Sequence, residues 1–443
     1  MNAKLRVATL GCKVNQYETE LVRQGLQRIG FQDCTPEESA DVCLVNTCTV
    51  TSEGDAKSRQ IIRRLARQNP AARIVVMGCY ATRAPDEVAK LPGVTEVITD
   101  KRELPDLMAR FGVVDIPTGL DGHAGRQRAY VKVQDGCLLR CSYCIIPHVR
   151  PKLTSRPLGH IVEEVSRLVA AGHQEVVLTG IHLGHYGVDW NRNQPKAAWI
   201  RLAHLLRALC DIDGDFRIRL SSIEATEVTR ELIAVMAAHP ERIAPHLHLC
   251  LQSGSDAVLR RMRRRWGTRM FLDRCRLLRE SLDNPAITTD IIVGFPGETE
   301  AEFQQTLQTC RAAAFSKIHA FPFSPRRGTP AAEMPDQVSK AVQAARMQQI
   351  TELETELRGV YFQSLIGQRL QVLVESAQPF LSVENPNTPP SVLLRGTACR
   401  YAPAEWIAEP SLIGQRQNLI GKIVPTWAVA GDTQRVTVAA VAS

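Results

Sequence analysis

The sequence predicts an α/β protein of three units: an N-terminal open parallel α/β domain over residues 1–120, a central complete or partial (β/α) barrel over 123–365, and a small all-β barrel-like domain over 366–443. Three observations lead there. Short apolar runs alternate with polar, helix-patterned stretches as far as Ala341, the signature of parallel strands covered by helices. Beyond Gly367 that pattern gives way to short β-branched runs separated by Pro, Gly and Asn. The length of 443 residues also exceeds what one hydrophobic core usually serves.

In the first unit, Leu5–Leu10, Val42–Val45 and Ile74–Met77 read as buried strands, and each is followed closely by a cysteine: Cys12, Cys48 and Cys79. Between the second and third strands lies a helix, with Ser52 as its N-cap, Asp55 three residues on, and Ile61, Ile62 and Leu65 as its apolar stripe. The stretch Leu120 to Arg128 (LDGHAGRQR) reads as a linker. After it, a helix from Ile161 to Ala170 leads through Gly172 into a strand, Glu175–Thr179. Thr299 and Glu302 form a capping box ahead of another helix, and Lys317–Phe321 follows as a strand. Repeated units of this kind build a (β/α) barrel. Gly187 to Trp199 is a surface excursion, and Gly294 to Glu298 (GFPGE) is a strand-to-helix turn. A long polar helix spans Ala341 to Phe362. The last unit has strands at Leu370–Glu375, Val392–Thr397 and Val436–Val441, with a turn cluster at Glu384 to Ser391.

The formal net charge of +8 suits a polyanionic partner such as RNA, and equally a soluble basic enzyme. No apolar run approaches the roughly 20 residues that cross a bilayer. Met1 to Leu10 lacks the apolar core and cleavage site of a secretion signal, so a cytoplasmic protein without a membrane partner is expected. In a reducing compartment, thirteen cysteines are available for metals and catalysis.

Cys137, Cys141 and Cys144 have C-x3-C-x2-C spacing, which lets one loop wrap several irons of a cubane. Three thiolates for four irons leave one iron open to a small molecule. The alternatives are a zinc knuckle with His148 as fourth ligand, or chance placement. Cys12, Cys48 and Cys79 lie just beyond the carboxyl ends of three predicted strands, where open α/β sheets bind ligands. They either converge on a metal or serve as small buried hydrophobes. The latter reading suits Cys34, Cys43, Cys210, Cys250, Cys275, Cys310 and Cys399.

The segment DGCLLRCSYC, with Tyr143 before the last cysteine, resembles the cluster loop of the radical S-adenosylmethionine superfamily. TLGCKVNQYETE (Thr9 to Glu20), VNTCTVT (Val45 to Thr51) and MGCY (Met77 to Tyr80) are similar to the N-terminal segments of the methylthiotransferase family. Further blocks resemble that family along essentially the whole chain, among them TGIHLGHYG (Thr179 to Gly187), LHLCLQSGSDAVLRRMRRR (Leu247 to Arg265) and TTDIIVGFPGETEAEF (Thr288 to Phe303). The tail resembles a TRAM domain, a small RNA-binding β-barrel.

This resemblance implies a radical SAM partial barrel with two 4Fe-4S clusters, one on Cys137, Cys141 and Cys144, the other, auxiliary, on Cys12, Cys48 and Cys79. It also implies S-adenosylmethionine as methyl donor and as source of a radical that abstracts hydrogen from C2 of an adenine. TLGCKVNQYET and TGIHLGHYG look most like the branch acting on N6-threonylcarbamoyladenosine at position 37 of the tRNA anticodon loop. Sister branches act on isopentenyladenosine in tRNA or on a small-subunit ribosomal protein. A non-catalytic, metal-containing RNA-binding protein is the reading from a different class. An electron donor such as a flavodoxin or ferredoxin and a sulfur source are implied partners.

Thr179, Gly180, Ser222, Glu224 and Gln252 follow predicted strands and either contact S-adenosylmethionine or build turns. The run Arg260, Arg261, Arg263, Arg264 and Arg265, ending at Trp266, either grips RNA with a stacking face or is a solvated helix flank. One departure from the family stands out. After Cys144 the chain reads IIPHVRPKLTSRP, with Pro151 where glycine is usual and His148 where tyrosine is frequent. Proline fixes φ and removes an N–H, which alters the substrate-side loop.

Overall fold

Five short strands at the N-terminus align in parallel: β1 Lys4–Thr9, β2 Gln32–Asp33, β3 Val42–Thr47, β4 Arg73–Gly78 and β5 Val94–Val97, in the spatial order β2-β1-β3-β4-β5. In this computed structural model, which describes residues 3–123, 125–191, 193–380, 391–408 and 416–441, every residue of β3 is buried. That is what a central parallel strand with helices on both faces requires. The helices are α1 Lys13–Arg28, α2 Ser52–Gln68, α3 Cys79–Arg83, α4 Pro85–Ala89 and α5 Leu104–Arg110. Ser52, the expected cap, is the first helical residue instead. Thr51 is extended, so its hydroxyl points back and accepts from the Gly54 N–H at 3.1 Å.

The central unit has strands β6 Arg128–Asp135, β7 Thr154–Ser155, β8 Glu175–Gly180, β9 Arg217–Leu220, β10 Ser222–Ile223, β11 His246–Leu249, β12 Ala286–Val293 and β13 Lys317–Pro322. They form two four-stranded sheets, β7-β6-β8-β9 and β10-β11-β12-β13, joined through the isolated bridge Ile218–Ile243. β13 does not pair with β6, so the barrel is partial. Its helices are α6 Ile146–Val149, α7 Leu158–Ala170, α8 Leu202–Cys210, α9 Arg230–Ala238, α10 Asp256–Arg261, α11 Thr268–Ser281, α12 Glu300–Ala313 and the long α13 Lys340–Ser364. The Thr299–Glu302 capping box forms: Thr299 N–H donates to Glu302 at 2.8 Å and Glu302 N–H to the Thr299 hydroxyl at 3.3 Å. The GFPGE turn closes on itself, Gly294 N–H donating to Glu298 at 2.7 Å.

The N-terminal sheet covers the open side of the barrel. α1 lies against β6 and β8, and Tyr17 joins the large apolar core formed by Val131, Val176, Leu220 and Leu247. The expected linker is anchored at its start, because Leu120 is fully buried and its N–H donates to Glu164 at 2.7 Å. Within it, Ala124 lies outside the described residues. The excursion from Gly187 to Trp199 is pinned by Asn191, which exchanges hydrogen bonds of 2.7 and 2.8 Å with the Ile200 backbone; Arg192 lies outside the described residues.

The last five strands, β14 Arg369–Phe380, β15 Ser391–Ala398, β16 Pro403–Ala408, β17 Ile423–Gly431 and β18 Val436–Ala440, close into a barrel ordered β14-β15-β16-β18-β17. β14 outruns its expected end at Glu375 because a register shift between Val374 and Ser376 lets pairing continue to Phe380–Ser391. The predicted turn cluster, up to Pro390, lies outside the described residues.

This small barrel plugs the amino end of the large one through a buried charge network. Glu175 accepts from Arg217 Nε at 2.7 Å and Arg219 Nε at 2.8 Å, and pairs with Arg128 at 3.1 Å. Arg217 also donates to the Gln371 carbonyl at 2.8 Å, Arg219 to the Ala398 and Cys399 carbonyls at 3.1 Å each, and Arg128 pairs with Glu375 at 2.7 Å. Burial alone would raise the Glu175 pKa; Arg217 and Arg219 hold it well below the usual carboxylate range. Among the described residues no helix is long and apolar enough to cross a membrane.

Candidate functional site

Cys137, Cys141 and Cys144 occupy the loop leaving the carboxyl end of β6. The chain turns sharply at Gly136, whose φ is 77° and where a Cβ would fall 1.9 Å from the Lys152 carbonyl oxygen; only glycine fits. The loop is tied down at Ser142, whose N–H donates to Met262 O at 3.1 Å and hydroxyl to Arg261 O at 2.7 Å, while its carbonyl accepts from Ala331 N–H at 2.8 Å. Tyr143 packs edge-on to Phe295, centroids 6.5 Å apart. All three thiols are free and half-buried. Burial pushes the Cys144 thiol up to about 12 and raises that of Cys141 against the pull of Arg264. Thiolates here therefore call for a strong positive centre.

Cys12, Cys48 and Cys79 do converge. β1, β3 and β4 are neighbours in register, Thr9 opposite Asn46 and Thr47 opposite Gly78, so the residues just past their ends meet at one sheet edge. Gly78, at φ 105°, lets β4 turn into α3 where a Cβ would strike the Thr47 backbone at 2.3 Å. Asn15 laces the edge together, donating to Leu10 O at 2.9 Å and Thr47 O at 3.0 Å. Cys12, Cys48 and Cys79 lie within electrostatic reach of one another, and burial raises the pKa of Cys12 and of Cys48. Lys101 has a buried ammonium without hydrogen-bond partner among the described residues, within electrostatic reach of Cys79.

Both sets fit an anionic cluster better than a single zinc ion. Tetrahedral zinc with bonds of about 2.3 Å needs its sulfurs roughly 3.8 Å apart. Among the described residues, the groups whose ligand atoms all lie within 4.8 Å are His182–His185–Glu227 and His248–Cys250–Asp290; neither cysteine set is that tight. His148 is exposed on α6, away from a ligating role. The unpartnered Lys101 ammonium and the Arg264 guanidinium, 3.6 Å from Cys141 Sγ, supply the positive surroundings that a thiolate-bound cluster needs.

The two sets are mechanically joined. Cys79 packs with Ile145 and Val149, immediately after Cys144, in a small apolar cluster. Arg150, buried, donates to Glu18 on α1 from both terminal nitrogens at 2.8 Å and to Asp135 at 2.7 Å, and Lys132 adds 2.7 and 2.6 Å contacts to the same two carboxylates. On the opposite edge of the barrel, Arg326 pairs with Asp55 on α2. Pro151 is exposed and lines two cavities, of about 480 and 990 Å³. The departure from the family pattern therefore sits on a wall facing open space.

Thr179, Gly180, Ser222, Glu224 and Gln252 all lie at the same carboxyl rim as Cys137. Thr179 is buried at the end of β8, and Gly180 faces Gln134, whose side chain a Cβ would approach to 2.9 Å. Ser222, at the start of β10, is exposed. Gln252, at φ 66°, bridges to β12, its N–H donating to Asp290 O at 2.8 Å. Glu224 is already engaged: Arg264 pairs with it and the Trp266 indole N–H donates to it at 3.1 Å.

That engagement corrects the expectation for the arginine run. Arg264 is buried in this pair, Arg261 is held by Glu302 at 2.8 Å, and Trp266 is only 7% exposed beneath the Arg264 guanidinium. No stacking face is offered there. Arg260, Arg263 and Arg265 remain exposed.

Sequence reasoning missed His182 and Glu227. His182 Nδ1 lies 3.6 Å from Cys137 Sγ and its Nε2 lies 2.5 Å from Glu227, with the His185 ring stacked at 3.6 Å. Burial would lower the His182 pKa; hydrogen bonds to Cys137 and Glu227 outweigh it and carry it to about 9. Burial and then the His182 charge lower His185 to about 4. The paired histidines of TGIHLGHYG were the available signal.

Comparison with known proteins agrees with this geometry. Residues 4–100 match the family described as uncharacterized protein family UPF0004, and residues 131–310 match the radical SAM superfamily. The threonylcarbamoyladenosine tRNA methylthiotransferase MtaB of Bacillus subtilis is 41% identical over 399 residues, 85% of this chain and 86% of that protein. The tRNA-2-methylthio-N(6)-dimethylallyladenosine synthase of Corynebacterium urealyticum is 36% identical over 388 residues, 83% of this chain and 72% of that protein. Among solved structures, the radical S-adenosylmethionine methyltransferase TsrM from Kitasatospora setae, with cobalamin and a 4Fe-4S cluster bound, superposes with a TM-score of 0.54 at 16% identity, covering 75% of this chain and 77% of that one. At that identity the likeness is one of fold.

Proposed function

The chain belongs to the threonylcarbamoyladenosine tRNA methylthiotransferases of the MtaB type, and on that premise we propose that it adds a methylthio group to C2 of N6-threonylcarbamoyladenosine at tRNA position 37. The observation that carries this reading is the junction of the two cysteine sets, Cys79 against Ile145 and Val149 just beyond Cys144. Sulfur insertion needs a radical-forming centre and a sulfur-bearing centre facing one substrate, and a contact that keeps the two cysteine sets together supports that reading.

Cys137, Cys141 and Cys144 would hold one 4Fe-4S cluster, and Cys12, Cys48 and Cys79 a second. With S-adenosylmethionine such clusters supply one-electron chemistry that attacks an unactivated C–H bond, and a sulfur that can be methylated. The protein's own share is geometric and electrostatic. The Gly136 turn and the Ser142 anchors fix the cluster loop, while Arg264 neutralises charge beside Cys141 and positions Glu224. Thr179, Gly180, Ser222, Glu224 and Gln252 form the rim on which S-adenosylmethionine would rest. The Arg150–Glu18 and Arg326–Asp55 pairs hold the N-terminal sheet against the barrel.

We divide the chain into an auxiliary-cluster domain over 1–120, a radical SAM core over 123–365 and a TRAM-like RNA-binding domain over 366–443. The last presents an exposed Trp427, 45% open, to the anticodon stem and loop. A flavodoxin or ferredoxin as electron donor, a separate sulfur source and a cytoplasmic location complete the reading. Nucleoside analysis of tRNA from a strain lacking this gene tests it: the methylthio form of threonylcarbamoyladenosine should vanish, and its persistence would reject the assignment.

A further inference from the structure

His182 is buried two residues past the end of β8. Its Nδ1 lies 3.6 Å from Cys137 Sγ, and its Nε2 lies 2.5 Å from a carboxylate oxygen of Glu227. A carboxylate can only accept a hydrogen bond, and so can a thiolate bound to iron. The ring therefore donates from both nitrogens, one proton to each neighbour. That leaves no nitrogen lone pair to bind a metal or to take a proton from a substrate.

The contact is braced from both sides. The His182 backbone N–H donates to Gln134 Oε1 at 2.8 Å, and Gln134 Nε2 donates in turn to the carbonyl of Gly136 at 2.7 Å. Gln134 is fully buried, so one fixed side chain sets both the histidine and the turn that starts the Cys137 loop. On the other side, Glu227 closes the short turn Ala225–Glu227 after β10, and its carboxylate accepts the Glu224 N–H at 2.9 Å. The glycine at 184 leaves the room that this carboxylate fills: a Cβ there would fall 2.1 Å from Glu227 Oε2. The ring of His185, stacked at 3.6 Å, covers one face of the imidazole.

We propose that His182, oriented by Glu227, is a positioning residue that donates a hydrogen bond to the Cys137 thiolate and raises the reduction potential of the cluster on Cys137, Cys141 and Cys144. The inference rests on the cluster reading above and deepens it. One electron from the flavodoxin- or ferredoxin-type donor makes a thiolate-bound cluster more negative, and a fixed N–H at one ligating sulfur favours that reduced form. A hydrogen bond to a charged group of this kind shifts the equilibrium about tenfold, which for a one-electron couple is ~59 mV.

The test is an anaerobic redox titration of the full-length protein loaded with iron and sulfide, followed by electron paramagnetic resonance. The signal that C141A lacks identifies the cluster of the Cys137 set. H182L, which has no donor, should keep its iron and titrate ~59 mV lower than wild type. H182N, whose amide nitrogen can take the place of Nδ1, should recover most of that shift. An unchanged potential in H182L would overturn the proposal. So would a potential equally low in H182N, which would assign the shift to lost packing, and so would loss of iron from either variant, which would make His182 a residue of cluster assembly. A wild type without any signal dependent on Cys141 would reject the cluster reading itself, and the proposal with it.

Discussion

Arg150 and Glu18 meet in a two-pronged ion pair, each terminal guanidinium nitrogen 2.8 Å from a carboxylate oxygen and both side chains 1% exposed. The pair ties the segment after Cys144 to the helix that follows Cys12. Breaking a buried pair from one side leaves a bare charge and costs about 3–5 kcal/mol. R150M should therefore lower the urea unfolding free energy by about that amount, with a smaller loss for the double variant R150M/E18L than for R150M alone.

Burial alone would raise the Glu18 pKa, but Arg150 and Lys132 hold it well below its ordinary value. A carboxyl lowered on folding contributes in full above its unfolded pKa of about 4.3 and loses that contribution as pH falls toward the folded value. Unfolding midpoints of the wild type should decline below pH ~4.3, and E18Q should show a shallower decline over the same range.

Each cysteine set should load independently. C141A should retain about four of roughly eight irons per chain, and C48A likewise, since each cubane holds four. Complete loss of iron from either variant would mean that the two sites assemble as one.

Arg260, Arg263 and Arg265 are exposed, unlike Arg261 and Arg264, which are held by Glu302 and Glu224. Replacing the exposed three with glutamine should weaken tRNA binding and flatten its dependence on log salt by about 2, at ~0.7 per phosphate contact for single strands. An unchanged slope would assign these arginines to the solvated helix flank instead.

Glu175 anchors Arg128, Arg217 and Arg219 at the seam between the two barrels. E175Q should leave those cations underpaired, cost several kcal/mol, and render the Leu365–Arg369 junction more sensitive to limited proteolysis.

The strands that end just before Cys12, Cys48 and Cys79 were legible because a buried parallel strand writes itself as a short apolar run, and the loop at Cys137 because its cysteines are local in sequence. Trp266 was misleading: an aromatic ending a basic run looks solvent-facing, and only the fold brings Glu224, 42 residues away, to bury it. His182 with Glu227 and Arg150 with Glu18 were illegible for the same reason. Each is a pairing across elements that no local period records, and it takes shape only once the N-terminal sheet covers the open barrel.

One reaction decides whether this chain methylthiolates threonylcarbamoyladenosine: protein loaded with iron and sulfide, S-adenosylmethionine, a reductant and tRNA carrying threonylcarbamoyladenosine at position 37, with the nucleosides read by mass spectrometry. Wild type should yield the C2-methylthio derivative, and C12A and C141A none. Absence of that product from wild type, with conversion of a dimethylallyladenosine tRNA in its place, would contradict it.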